Sequence, residues 1–245
     1  MKDTSQLKAA IIRFPGSNCD FDCQLVLESV FGIETHFIWH TDCGPVLDGF
    51  DFVILPGGFS YGDYLRCGAM AAKSNVMRSL KSYALNGGYV LGICNGFQIL
   101  CEAGLLPGGL RRNKNLKFLC HDVTLEVTCN ESPWTNNFSP HEKITLPIAH
   151  ADGCYVIPEK ESHHLINNNQ ILLTYSTSES KKDDILESIQ NPNGSFYSIA
   201  GICNEGRNIF GLMPHPERAT DLGSHDGRKI WQSLIETIQT RHKMV

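Results

Sequence analysis

Cys94 sits in Gly92-Ile-Cys94-Asn-Gly96, where an apolar run, Tyr89 to Ile93, passes through a glycine-pinched turn into an apolar helical pattern. Glycines two residues before and two after let the backbone turn sharply, so a nucleophile at the apex is pushed outward toward a substrate. The partial positive charge at the N-terminus of the following helix attracts an anion at that point, which suits a thiolate. A cysteine nucleophile also needs a base, and the base needs an orienting acceptor. Met213-Pro-His215-Pro-Glu217 offers both, because extended backbone puts residues two apart on one side and brings the Glu217 carboxylate toward the His215 ring. Leu55-Pro-Gly57-Gly58-Phe59-Ser-Tyr-Gly-Asp63 supplies a third component: its paired glycines let backbone N–H groups approach a ligand and, with the Asn95 N–H, form an oxyanion hole. Each part has an ordinary alternative: a buried structural thiol, a hydrogen-bonded loop histidine, or a tight turn with no ligand. Their joint occurrence weakens all three.

The elements that must position these residues follow from hydrophobic periodicity. Lys8 to Phe14 reads as a strand, the loop Pro15-Gly-Ser-Asn18 follows, and Leu25, Val26, Val30 and Phe31 mark a helix. Thr35 to Trp39 and Phe52 to Leu55 read as strands, Leu65 to Leu85 as an Ala-rich helix, and Tyr89 to Ile93 as the strand that delivers Cys94. Phe97, Leu100 and Cys101 then recur at helical spacing. Such alternation predicts an α/β fold, an open, mostly parallel sheet flanked by helices on both faces with right-handed crossovers. Active sites in that architecture lie at the carboxyl ends of strands, where Cys94 falls.

Beyond the Cys94 helix the pattern changes. Phe118 to Val127 and Ile171 to Tyr175 read as strands, while Thr128 to Lys143 and Pro158 to Gln170 read as polar surface excursions. Phe196 to Cys203 and Asn208 to Leu212 read as a hairpin around Asn204-Glu-Gly-Arg207. Ile230, Trp231, Leu234, Ile235 and Ile238 mark a closing amphipathic helix. No repeat or linker divides the chain, so a single domain over residues 1–245 is expected.

Composition narrows the function classes. A net charge of -5 with interspersed signs gives no footprint for nucleic acid or for an anionic membrane surface. No segment reaches the roughly 20 apolar residues of a membrane span, and the polar start, Met1 to Gln6, lacks a signal-peptide pattern, so a cytoplasmic protein is expected. The ten cysteines are scattered and read mostly as reduced core residues. Cys19, Cys23, His36 and His40 do not assemble a convincing metal-ligand spacing, and no metal is expected in this chain. Asp183-Asp184-Ile-Leu-Glu187 and Arg111-Arg112-Asn113-Lys114 read as solvated charge runs, and His163 and His164 carry no evident role.

The Gly-x-Cys-x-Gly-x-Gln elbow with a late His-Pro-Glu resembles the class I (triad) glutamine amidotransferases. Five blocks, Phe14 to Asp20, Pro56 to Gly68, Cys94 to Gln98, Gly104 to Gly108 and Met213 to Ala219, are similar to a narrower family among them, the glutaminase subunit of phosphoribosylformylglycinamidine synthase. The resemblance implies a flavodoxin-like glutaminase fold and a thioester mechanism that releases ammonia from glutamine. It implies Cys94 as nucleophile, His215 as general acid and base, and Glu217 as the group orienting it. It also implies that Gly57, Gly58, Phe59 and Asn95 line the oxyanion and glutamine site, with Gln98 nearby. His150 carries over weakly, because family members tend to show His-Gly-Glu-Gly where this chain has His150-Ala-Asp152-Gly153, followed by Cys154.

The resemblance further implies that ammonia passes to an ATP-dependent synthetase subunit, which makes formylglycinamidine ribonucleotide from formylglycinamide ribonucleotide in purine biosynthesis. This chain has no Walker-type Gly-x4-Gly-Lys-Ser/Thr loop, so ATP and Mg are expected on that partner, together with a small auxiliary subunit of the same complex. The isolated subunit is expected to be a poor glutaminase until the synthetase orders the Gly57 to Gly68 loop. A glutaminase of another amidotransferase, a different α/β cysteine hydrolase and a catalytically silent assembly module remain alternatives.

Overall fold

A computed structural model describes residues 7–176, 191–220 and 226–243. These residues form two compact units, the first comprising 7–106 with 208–211 and the second 107–176, 191–207, 212–220 and 226–243.

The first unit opens with Lys8–Arg13 (β1), whose interior residues Ala9 to Ile12 are fully buried. A short helix, Asp20–Leu25 (α1), runs on into a widened π turn over Val26–Val30 before Glu34–Trp39 (β2). Phe52–Leu55 (β3) is buried at every position, as a strand covered on both faces must be. The helix expected over Leu65 to Leu85 is shorter. A regular helix, Val76–Leu85 (α2), follows a 3-10 turn at Ala71–Lys73, and the residues before that turn are loop. Positive φ at Leu65 (71°) and Gly68 (78°) is incompatible with a continuous right-handed helix there.

Tyr89–Ile93 (β4) and Asn95–Glu102 (α3) complete the strand, turn and helix around Cys94. The sheet order is β2-β1-β3-β4, with every pair parallel and in continuous register: Ile11 faces both Phe37 and Ile54, and Leu55 faces Gly92. Asn208 leads into Ile209–Leu212 (β11) and joins this unit by accepting a hydrogen bond from the Val90 N–H (2.8 Å). The expected α/β class, an open, mostly parallel sheet flanked by helices, is what the chain forms.

The second unit is antiparallel. Leu119–Val127 (β6) pairs with Lys143–His150 (β7) on one side and with Ile171–Tyr175 (β9) on the other, and Ile199–Cys203 (β10) pairs with β9. Gly109–Arg111 (β5) and Cys154–Val156 (β8) make a separate two-stranded ribbon. The turn at Asn204–Arg207 forms as expected, with the Arg207 N–H donating to Asn204 O (3.0 Å), and past it the Met213 N–H donates to Ala200 O (3.0 Å).

Two segments read as surface excursions differ. Pro158 to Gln170 holds a helix, Glu159–Asn167 (α4), that buries Ser162 and Leu165. Thr128 to Lys143 folds inward: Trp134, Thr135 and Phe138 are buried, and the Trp134 indole N–H donates to Arg207 O (2.9 Å). Its polar residues satisfy the turn itself, Thr135 Oγ1 donating to Cys129 O and Asn130 Nδ2 to Phe138 O, which frees the aromatic side chains to face the core. The chain closes with Asp226–His242 (α5), which buries Ile230, Trp231, Leu234, Ile235 and Ile238 as its spacing predicts.

Six of the ten cysteines, Cys19, Cys23, Cys94, Cys101, Cys154 and Cys203, are buried. Among the described residues no helix is long and apolar enough to cross a membrane. Asp183 to Glu187 lies outside the described residues.

Candidate active site

Cys94 stands between β4 and α3 with φ 49° and ψ -104°. A non-glycine residue held there stores about 1–3 kcal/mol of backbone strain, which the surrounding packing must enforce. That packing is visible. Phe97, Ile99 and Leu100 are fully buried on α3, and a Cβ added at Gly96 would lie 1.9 Å from Leu55 O, so only glycine lets the elbow helix approach β3 this closely.

The Gly57-Gly58-Phe59 segment leaves the carboxyl end of β3 and is laced to the loop that follows β1. The Phe59 N–H donates to Gly16 O (2.8 Å), and the Asn18 and Cys19 N–H groups both donate to Gly57 O (3.2 Å each). Gly58, at φ 150°, admits no side chain, because a Cβ would meet Gly16 O at 2.6 Å and the Ser17 Cα at 2.8 Å. Asn95 and Gln98 are buried on the first turn of α3. The Asn95 Oδ1 accepts the Ser60 N–H (3.1 Å), and its Nδ2 donates to Gln98 Oε1 (2.8 Å). Thus Cys94, Asn95, Gln98 and the Gly57 to Phe59 loop are brought together within the first unit.

Tyr61 continues this loop at φ 53°, and its hydroxyl is 2.7 Å from His40 Nδ1. Burial raises the Tyr61 pKa, and burial also lowers that of His40, against the opposing pull of Asp42. His36 pairs instead with Glu34 (2.7 Å), so the two histidines serve separate contacts.

His215 and Glu217 lie in the second unit, both buried, with His215 Nδ1 2.6 Å from Glu217 Oε1. The contact agrees with the sequence reading, but its cause is different. Pro216–Arg218 forms a 3-10 turn rather than extended chain, with His215 itself at φ -106° and ψ 90° just before it. The His215 N–H donates to Pro147 O (2.8 Å) on β7, and the Gly227 N–H at the start of α5 donates to Ala219 O (3.1 Å). The carboxylate at Nδ1 fixes the proton on that nitrogen and leaves Nε2 as the basic one.

His150 ends β7 in the same unit. Its Nδ1 lies 3.1 Å from Asn113 Oδ1, and its Nε2 is buried with no hydrogen-bond partner among the described residues. Burial and the nearby His215 bring its pKa down to about 4, so the ring is neutral at physiological pH. Asn113, one of the residues read as a solvated basic run, is in fact wholly buried: its Nδ2 donates to Lys117 O (2.8 Å) and His150 O (2.9 Å), and its Oδ1 accepts the Gly153 N–H (3.0 Å). Sequence reasoning missed this residue, although an asparagine inside an Arg-Arg-Asn-Lys run invites the question of which backbone groups it satisfies. Asp152, at the position that departs from the family pattern, lies 3.7 Å from the Arg112 guanidinium. His163 and His164 fall on α4, where His164 pairs with Glu205.

Comparison with known proteins places this geometry in context. The sequence matches the CobB/CobQ-like glutamine amidotransferase domain over residues 6–241. It is 52% identical to the phosphoribosylformylglycinamidine synthase subunit PurQ of Alkaliphilus metalliredigens, across 95% of this chain and 97% of that protein. It is 51% identical to the subunit of the same name from Helicobacter hepaticus, across 96% and 100%. Among solved structures, a chain of PurLQS from Thermotoga maritima superposes with a TM-score of 0.82 at 41% identity, covering 95% of this chain and 99% of its own length. Another glutamine amidotransferase from Thermotoga maritima shares the fold at 16% identity with a TM-score of 0.57, covering 98% of this chain and 86% of its own length.

Proposed function

The chain belongs to the CobB/CobQ-like glutamine amidotransferases and, within them, to the PurQ glutaminase subunits of phosphoribosylformylglycinamidine synthase, and we propose that Cys94, His215 and Glu217 perform its glutamine hydrolysis. The observation that carries the proposal is Cys94 itself, a non-glycine residue held at positive φ on a strand-to-helix turn. Such strain persists where function demands it.

The chemistry follows from the groups present. The Cys94 thiolate attacks the side-chain carboxamide of glutamine, and backbone N–H groups of Gly58 and Asn95 receive the oxyanion, while Phe59, whose own N–H is held by Gly16 O, lines the glutamine site. His215, oriented by Glu217, delivers the proton with which ammonia leaves, and a water activated by the same ring hydrolyses the γ-glutamyl thioester to glutamate. Gly57 shapes the loop, while Gln98 and the neutral His150 contribute to glutamine binding. These steps need no metal.

The partners are inferred as well. Ammonia release serves amidation of formylglycinamide ribonucleotide on a synthetase chain that holds ATP and Mg, accompanied by a small auxiliary chain, in the cytoplasm. Support comes from the relatedness to PurQ and to a component of PurLQS, and from the lack of a Walker-type loop in this sequence. We read the two compact units as parts of one glutaminase domain, since a single family match runs over 6–241.

The test is glutamate release from glutamine by the wild type and Cys94→Ala, each with and without the synthetase. The variant is expected to lose activity by several orders of magnitude while supporting the ammonia-driven reaction of the complex. Unchanged glutamate release in the variant sinks the assignment of Cys94.

A further inference from the structure

The segment that supplies the oxyanion donors is fastened along one face of the elbow helix. At its start, the buried Asn95 amide bridges the Ser60 N–H (3.1 Å) and Gln98 Oε1 (2.8 Å). Midway along the helix, Gly68 packs so closely that a Cβ there would lie 2.8 Å from the Ile99 nitrogen and 2.9 Å from the Gln98 carbonyl carbon. At the last turn of the helix, the Arg66 guanidinium meets Glu102 in a bidentate pair, with both N–O distances 2.5 Å. Residues 95, 98, 99 and 102 are successive steps along one side of a helix, so the loop runs beside α3 for its whole length.

Asn95 is the inner fastening. A backbone N–H can only donate, so the Asn95 atom facing Ser60 must be Oδ1, and Nδ2 is then turned to the Gln98 oxygen. The side chain uses both ends of its amide within the 1% exposure it retains. An aliphatic side chain of the same size leaves the Ser60 N–H and Gln98 Oε1 without these partners inside the protein, a cost that moving the loop relieves.

We infer that the Asn95 side chain is a positioning group for the oxyanion donors: it ties the Ser60 N–H to the first turn of α3 and so sets the distance between the Gly58-Phe59 loop and Cys94. This role is separate from the backbone N–H of the same residue and rests on the glutaminase reading above. Because the oxyanion develops only in the transition state, looseness of the loop lowers kcat and leaves glutamine binding largely intact. The Arg66–Glu102 pair is exposed on its arginine side and holds the outer end, so its loss has a smaller effect.

Asn95→Leu in the assembled complex is expected to lower kcat for glutamine roughly 10- to 100-fold with KM changed less than about threefold, the scale of a catalytic group displaced by about an ångström. Two measurements on the same variant separate positioning from damage. Alkylation of Cys94 by iodoacetamide, followed at the Cys94 peptide, needs no oxyanion hole and stays within about twofold of wild type. Alkylation by a diazoketone analogue of glutamine, in which the diazo carbon takes up a proton and the thiolate then displaces N2 to form a thioether, needs the ketone oxygen seated on the same donors beside the thiol and slows with kcat. A kcat within twofold of wild type overturns the inference, and so does a parallel fall of both alkylation rates with loss of the folded circular-dichroism spectrum. Cys94→Ala is run alongside. If it still releases glutamate, the glutaminase reading fails, whereas a dead Cys94→Ala beside a fully active Asn95→Leu removes the positioning role alone.

Discussion

His150 is a charge-free histidine by construction. Burial first, then the electrostatic influence of the nearby His215, takes its pKa from 6.5 to about 4, while an unfolded chain titrates near 6.5. Between those values the unfolded chain binds more protons, so stability present above pH 6.5 is lost as pH falls toward 4, by about 3 kcal/mol in total. Urea midpoints measured from pH 7.5 to 4.5 are expected to drop more steeply for the wild type than for His150→Gln, which lacks the titrating ring. Identical slopes would show that other groups dominate acid unfolding. Gly96 gives a second test at this scale. Gly96→Ala drives a methyl group into Leu55 O, where the distance is 1.9 Å. Separating α3 from β3 costs several kcal/mol and moves Cys94, so the thermal midpoint should fall by roughly 5 °C or more and glutaminase activity with it. An active, equally stable variant would show that the elbow tolerates a wider spacing.

At the scale of elements, the legible parts were those with short-range signals. β1, β3, β4 and α3 are named by apolar runs whose burial is nearly complete, and the glycines around Cys94 announce the turn between the last two. The His215–Glu217 contact was legible from its spacing, yet its geometry depends on a 3-10 turn and on the Pro147 carbonyl of β7, 68 residues away in sequence. No local pattern encodes such a partner. β7 itself alternates, with Ile144, Leu146 and Ile148 buried, and Pro147 falls on the outward side of that alternation, where it is tolerated because β7 is an edge strand of its sheet. The inward fold of Thr128 to Lys143 was hidden for a different reason. Its composition is polar, and the decisive residue is one aromatic, Trp134, completely buried and hydrogen-bonded to Arg207 O. Trp134→Ala is therefore expected to destabilise the chain by about 3–5 kcal/mol, far more than a surface loop residue would, as read from the urea midpoint. A change below about 1 kcal/mol would restore the surface reading.

For the whole molecule, the expected dependence on a synthetase becomes a question about one segment. Free ammonia is protonated and diluted in bulk water, so a glutaminase that serves a synthetase gains nothing from hydrolysing glutamine alone. The Gly57 to Gly68 loop offers a partner a route to the proposed site, because its inner end carries the proposed oxyanion donors while Tyr64 and Leu65 at its tip are 71% and 81% exposed. Three non-glycine residues in that loop, Tyr61, Asp63 and Leu65, sit at positive φ, and strain of this kind marks a conformation held by its contacts rather than preferred by the chain. Under the proposed function, a synthetase whose hold on the tip differs between its ligand-bound and empty states would shift the donors relative to Cys94. Glutamate release by the isolated subunit is expected to rise at least tenfold when the synthetase, its ribonucleotide substrate and ATP are all present. Replacing Leu65 with Asp should remove most of that rise without changing the ammonia-driven rate of the complex. Similar basal and stimulated rates in the wild type would refute the coupling, and full stimulation of Leu65→Asp would move the contact away from this tip.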